Sequence, residues 1–290
     1  MLHIDAFSKV PNRGNPAGVV LEGAQYTEEE MQEIAREIGF NETVFVLESQ
    51  HADYRLRYFT PGHEMNLCGH ATMGAVYALW DAGMLIKAEF KIETNAGILP
   101  IQTNVKDAGL YITMQHAKPE FKQFTGSIDK LAASLGLSVE ELDPTIPIVY
   151  GSTGIWTLIV PIRNLASFKK MKPQTEKFPE ILLDKPKTSI HPICLEVRDA
   201  GNTMHARHFS SPFSGTVEDA VTGTGSGVMG AYYKKYIEQG IKLPCTLKVE
   251  QGHEIGKDGL VHVHLDEKDT GLGVSISGTA VFVKELKLKI

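Results

Sequence analysis

"RYFTPGHEMNLCGHATMGAVYAL", Arg57 to Leu79, and "RHFSSPFSGTVEDAVTGTGSGVMGAYY", Arg207 to Tyr233, are two versions of one pattern. Each reads as a strand ending Arg-aromatic-Phe-hydroxyl, a loop containing Pro and Gly, a glycine-rich turn, and a helix carrying Met-Gly-Ala-x-Tyr. Met73 and Met229 lie 156 positions apart. The glycines expected to stop the two helices, Gly83 and Gly240, are 157 apart, as are "KIETNAG" at Lys91 and "KVEQGHE" at Lys248. Landmarks that keep one offset over this length mark an internal duplication, and duplicated sequence implies structurally equivalent halves.

The turns between the landmarks decide what the halves are built around. Gly69–Ala82 is apolar on nearly every side, with Ala71, Met73, Ala75, Val76, Ala78, Leu79 and Trp80. A helix without a polar face belongs inside a structure. Its counterpart follows "DAVTGTGSG" (Asp219–Gly227) and reads as a helix over Val228–Tyr236. The surrounding segments are strand-like: Thr43–Leu47, Tyr54–Phe59, Phe90–Glu93, Thr157–Val160, Thr246–Val249 and Val281–Val283 carry alternating β-branched and aromatic residues. Thr27-Glu28-Glu29-Glu30 forms a capping box that opens a helix, which Gly39 closes. The reading is an α+β fold of two pseudo-symmetric domains, each a strand barrel or sheet wrapped around a central buried helix. The cut falls near "SVEELDPTIP", giving residues 1–140 and 141–290.

A chain of 290 residues with 42% hydrophobic and 22% charged residues has room for two domains and a sizeable core. A formal net charge of −6 supplies no field for nucleic acid or an anionic membrane. No apolar run approaches the roughly 18 residues of a membrane span, and the strand-like start leaves no signal peptide. Three cysteines, Cys68, Cys194 and Cys245, form no CxxC pair, which fits a reducing, cytoplasmic setting without a structural metal.

Buried helix starts expose amides that need acceptors, and Gly69, Thr222, Gly223, Thr224 and Gly225 let a ligand approach that backbone. Helix dipole and free N–H groups favour a carboxylate or phosphate there. Equivalent halves would point both starts at one cleft. "GTGSG" lacks the Lys-Ser/Thr ending of a nucleotide-phosphate loop and stands in no βαβ pattern, so nucleotide and redox cofactors are disfavoured. His70 sits just inside the first central helix, where an imidazole suits proton traffic or a plain structural hydrogen bond. Asp219 either steers a proton or caps the turn before Thr222. Glu218 beside it reads as solvated. Glu42, in "FNETVFV", heads an apolar strand, where a carboxylate either faces water or is kept dry as a base. Cys68 at a helix start is a candidate thiolate, but the repeat offers only Thr222 or Thr224 opposite it. His262 and His264 share a strand face without an evident third metal ligand.

"DAFSKVPNRGNPAGVV" (Asp5–Val20), "NETVFV" (Asn41–Val46), Arg57–Ala75 and "EDAVTGTGSG" (Glu218–Gly227) together resemble the PhzF-like phenazine-biosynthesis isomerase family, end to end and in matching order. That family is similar in fold to diaminopimelate epimerase, with two like domains and the active site between them. The resemblance implies a cofactor-independent isomerase working by acid–base catalysis on a small carboxylate, and a homodimer. It puts the catalytic glutamate on Glu42, the helix-start histidine on His70, the motif aspartate on Asp219 and the closing hydroxyl on Thr224. Thr224 stands where serine is usual, and Asn41 where serine often precedes the glutamate. The epimerase's two cysteines are not both present, which disfavours a two-thiol racemase. An amino-acid epimerase or racemase and a non-catalytic carboxylate binder of the same fold are the alternative readings.

Overall fold

The strand-forming runs of the sequence fold as strands, most of them longer by a residue or two at each end. The protein is seen here as a computed structural model that describes residues 1–85, 87–106, 109–214 and 216–287. It divides into two compact units, the first Met1–Gln115 together with the chain from Ser277, the second His116–Ile276. The expected cut near residue 140 is therefore displaced, and the first unit is discontinuous. The stretch beyond 115 packs with the second half: Phe124, Leu131, Leu135 and Leu142 join Leu158, Phe168 and Phe209 in one buried cluster. "SVEELDPTIP" is polar at its surface, but Leu142 anchors it through a bridge to Ile162.

In the first unit β1 (Leu2–Ala6), β2 (Asn15–Val20), β3 (Glu42–Leu47), β4 (Tyr54–Phe59), the short β5 (Glu64–Met65), β6 (Glu89–Thr94), β7 (Gly97–Lys106) and β8 (Gly109–Gln115) are accompanied by α1 (Glu28–Ile38) and α2 (Gly69–Asp81). β1 pairs antiparallel with β2 and also with the last strand, β17 (Ala280–Glu285). β2 and β3 are parallel with α1 between them, and β4 and β6 are parallel with α2 between them. Such parallel pairs need a crossover, and each helix supplies one. The remaining neighbours, β3–β4, β6–β7 and β7–β8, are antiparallel.

The second unit repeats this order with β9 (Glu120–Gln123), β10 (Val149–Ser152), β11 (Trp156–Pro161), β12 (Ser189–Cys194), β13 (Met204–Ala206), β14 (Cys245–Gln251), β15 (Gly259–Lys268) and β16 (Gly271–Gly278). Its helices are α3 (Ile128–Ser134), α4 (Leu165–Lys170), α5 (Phe178–Ile181) and α6 (Gly223–Tyr232). β11 and β12 are parallel across α4 and α5, and β13 and β14 are parallel across α6. β9 closes against β10 as β17 closes against β1. The duplication read from the sequence is thus a duplication of topology.

The central helices are buried as their composition demands. α2 lies against β1, β2, β3, β8 and β17, and His70 through Val76, Ala78 and Leu79 are all buried. Each large apolar side chain so placed contributes about 1.5–3 kcal/mol. The shared Met-Gly-Ala has a steric cause. A Cβ on Gly74 would stand 3.3 Å from Ala17 Cβ of β2, and one on Gly230 would run into Val263 of β15.

Helix ends follow the sequence with one exception. Thr27 accepts from the Glu30 amide, Glu30 accepts from the Thr27 amide, and Gly39 closes α1 in the left-handed region at φ 69°. Thr27→Ala should lower unfolding free energy by about 1 kcal/mol in urea denaturation, the usual worth of such a cap. Gly83 ends the first central helix at φ 69°. Gly240 does not do the same. α6 passes into a π-helical turn over Tyr233–Ile237, the last turn-closing amide is that of Glu238, and Gly240 lies in the turn beyond.

Candidate active site

Glu42 is the first residue of β3 and His70 the second of α2, and the two meet within the first unit. Glu42 Oε2 lies 3.0 Å from His70 Nε2, with only 14% and 8% of the side chains exposed. The approach is off the line of an N–H···O bond, so Oε2 is a buried carboxylate oxygen without an aligned donor. Cys68, the extended residue that precedes α2, places Sγ 3.4 Å from His70 Nδ1 and 3.9 Å from Nε2. The first intrahelical bond of α2 runs from the Thr72 amide to the Cys68 carbonyl. The amides of Gly69, His70 and Ala71 therefore lie ahead of the ladder.

Charge in this cluster is set by burial and by close neighbours. Burial alone would pull the His70 imidazolium down. Cys68 and the Glu42 carboxylate act against it and prevail, so His70 titrates well above its ordinary 6.5. Cys68 moves up, first through burial and then through Glu42, while His70 acts against that shift. The His70 contribution to stability is complete below about pH 6.5, where folded and unfolded chains both hold the proton, and fades as pH rises through the folded value. The stability gap between wild type and His70→Gln should therefore narrow from pH 6.5 upward, as thermal melts across that range can show.

The second unit carries the other sequence candidates. Thr222 Oγ1 donates to Asp219 Oδ2 at 2.6 Å, and Gln251 of β14 fixes both residues. Its Nε2 donates to the Asp219 carbonyl and to Thr222 Oγ1, while its Oε1 accepts from the Thr222 amide. Asp219 thus holds the turn before α6 and also carries a carboxylate beside it. The first bond of α6 joins the Ser226 amide to the Thr222 carbonyl, leaving Gly223, Thr224 and Gly225 as first-turn donors. Gly225 is required for close approach: a Cβ there would stand 2.7 Å from the ring of His191. Asn41 is half-buried in the turn before β3. Glu42, His70, Gly69 and Asn41 belong to the first unit, and Asp219 and Thr222–Gly225 to the second.

Several neighbours were not found by pattern. His191 and His208 touch through their Nδ1 atoms at 2.8 Å, one ring donating and the other accepting. Burial pushes both down, His191 further through His208, while Asp219 partly opposes the shift in His208. His116 is pushed down to about 4 by burial. Glu218 is not solvated: it accepts from Arg207 Nε at 2.8 Å and from Nη2 at 2.7 Å. Arg57 and Glu64 repeat that clip in the first unit at 2.7 and 2.8 Å. The signal was present in the shared Arg-x-Phe, since each guanidinium also covers its own Phe59 or Phe209 ring. His262 and His264 lie half-buried on β15, and His264 Nδ1 contacts Thr246 Oγ1 at 2.9 Å.

A family model for phenazine biosynthesis-like protein (PhzC-PhzF) matches residues 4–286. The chain belongs to that family. It is 51% identical over 291 residues to the uncharacterized isomerase YfhB of Bacillus subtilis, covering 100% of this chain and 98% of that one. A PhzF-family phenazine biosynthesis protein of Bacillus anthracis has the same fold, with a TM-score of 0.97, 54% identity and coverage of 100% and 98%. The trans-2,3-dihydro-3-hydroxyanthranilate isomerase of Pseudomonas aeruginosa is 30% identical over 282 residues, 96% of this chain and 95% of that one. The protein is an isomerase of the PhzF family with the diaminopimelate epimerase-like fold. No helix among the described residues is long and apolar enough to cross a membrane.

Proposed function

We propose that this isomerase moves a proton on a small carboxylate-bearing substrate without a cofactor, and that Glu42 is the base. The observation that carries the reading is Glu42 Oε2, buried, 3.0 Å from a histidine nitrogen and lacking an aligned hydrogen bond. A carboxylate oxygen shielded from water beside an imidazole keeps a lone pair for a carbon-bound proton. Glu42 takes that proton and returns it at another carbon of the conjugated system. His70 donates to the charge that shifts. In the first unit the Gly69 amide, at the start of α2, serves the substrate carboxylate; in the second, the amides of Gly223, Thr224 and Gly225 form an anion-binding turn flanked by Asp219 and Thr222. Asn41, next to Glu42 in the chain, shapes the fit.

Magnitudes favour an activated substrate. A positioned acid–base group contributes about 10²–10⁴-fold and an anion-stabilising donor about 10²–10³-fold. Their product suits an allylic proton on a dihydroaromatic acid better than the α-carbon of a free amino acid. The named activity of the Pseudomonas aeruginosa relative, on a dihydrohydroxyanthranilate, is of the favoured kind. The test incubates dihydroaromatic and amino-acid carboxylates with the protein in heavy water and follows deuterium at carbon. Exchange accompanied by a shifted double bond supports the isomerase; inversion at an α-carbon without a shift would replace it with an epimerase. The same reading makes the protein a cytoplasmic homodimer, which analytical ultracentrifugation checks for the assembly.

A further inference from the structure

Glu42, Cys68 and His70 bring a carboxylate oxygen, a sulfur and an imidazole nitrogen together, with one ligand atom from each lying within 4.8 Å of the others. Sequence spacing conceals the set, because only Cys68 and His70 are near neighbours in the chain and Glu42 arrives on β3. Mixed N, S and O donors are the ligands of a zinc-like cation, with bonds near 2.0–2.3 Å. A tetrahedral ion bound to all three would space them about 3.3–3.6 Å apart by those bond lengths. The observed separations are 3.0 Å from Oε2 to Nε2 and 3.9 Å from Nε2 to Sγ. The third pair, Oε2 and Sγ, lies within 4.8 Å, so side-chain rotations of Cys68 and Glu42 would have to bring the three atoms to that spacing.

A second observation points the same way. A carboxylate paired with an imidazole for its own sake takes an in-line, charge-assisted hydrogen bond. Glu42 Oε2 does not, and its lone pair is left for another acid. We propose that Glu42, Cys68 and His70 form a binding site for a soft divalent cation of the zinc class, and that the bound cation switches the isomerase off. The switching rests on the assignment of Glu42 as base; the binding does not. On binding, the Cys68 thiol loses its proton and coordinates as thiolate, His70 coordinates through a deprotonated nitrogen, and Glu42 supplies an oxygen. The displaced protons pass to solvent, and no electron is transferred.

Zinc and cobalt(II), added as simple salts to the metal-stripped full chain, test this. Calorimetry should find one zinc site. The cobalt form should show a thiolate-to-cobalt absorption band in the near ultraviolet. Cys68→Ser should abolish that band, and Glu42→Gln should weaken zinc binding by more than tenfold, since even loss of a group that only supports a ligand costs about 10–100-fold. Cys245→Ser, at the half-exposed cysteine, should leave both signals. Circular dichroism of each variant confirms that it is folded. No zinc bound to wild type, or a cobalt band that survives in Cys68→Ser, would overturn the site. Zinc should also suppress deuterium exchange, with recovery on chelation. Cobalt bound through Cys68 together with exchange that persists in Glu42→Gln would remove the base and keep the metal site. Exchange that needs Glu42 but no cobalt band would do the reverse.

Discussion

Glu42→Gln should reduce turnover by about 10²–10⁴-fold, the range for loss of a positioned general base, while the protein stays folded and still binds carboxylate ligands. Glutamine fills the same volume at the head of β3 but cannot take a proton from carbon. The loss corresponds to about 3–5 kcal/mol of transition-state stabilisation. It should fall on kcat, because the carboxylate of the substrate is assigned to backbone amides and not to Glu42. Glu42→Asp gives a finer check. It keeps the charge but withdraws the oxygen by about an ångström, and misplacement of that size costs on the order of 10²-fold. Glu42→Gln, unlike Glu42→Asp, also removes one of the groups that raise His70, so the imidazole should titrate lower there than in wild type, as NMR of the ring can follow. Turnover in Glu42→Gln within a factor of three of wild type would refute the role of the base.

The fold was legible because its strongest signals are local. An apolar helix, a capping box and alternating strands each act over a few residues, and the duplication multiplied them. The domain cut was not legible, since Leu142 and Leu131 join a core whose other members lie far along the chain. Nothing local in "SVEELDPTIP" reports that contact. Gly240 failed as a helix stop for a related reason: it follows Tyr233–Ile237, a π-helical turn that ends the helix before the glycine is reached. Motif positions led to the candidates Glu42 and His70 in the first unit and Asp219 in the second, but the 3.0 Å contact between Glu42 and His70 needs β3 and α2 to be brought together. The pairing of His191 with His208 and of Arg207 with Glu218 depends equally on strand neighbours. A charged residue in a glycine-rich loop reads as solvated unless its partner is known, and Glu218 was misread on that account.

That partner sets the largest expected change in stability. Arg207 stands one residue past β13 with its side chain only 7% exposed, and Glu218 is 11% exposed. The guanidinium donates twice to Glu218 and once to the Phe168 carbonyl at 2.8 Å, and it covers the Phe209 ring at 4.7 Å. Arg207→Ala leaves the Glu218 carboxylate and the Phe168 carbonyl without these donors in the interior. Breaking one side of such a buried pair costs about 3–5 kcal/mol, a large part of the 5–15 kcal/mol that holds an ordinary protein folded. Removing both charges should cost less than the sum of the single changes, because neither is then stranded. The duplicated Arg57–Glu64 pair is more exposed, at 15% and 21%, and Arg57 also reaches Glu28. Arg57→Ala should therefore be the milder change. The second clip also spans the loop that ends at Asp219, whose amide bonds to the His208 carbonyl, so Glu218→Ala should lower activity at temperatures where the fold survives. Urea denaturation of Arg207→Ala, Glu218→Ala and the double variant measures these terms. A loss below 1 kcal/mol for Arg207→Ala would mean that the loop relaxes to expose Glu218, and that the clip is no more than a surface pair.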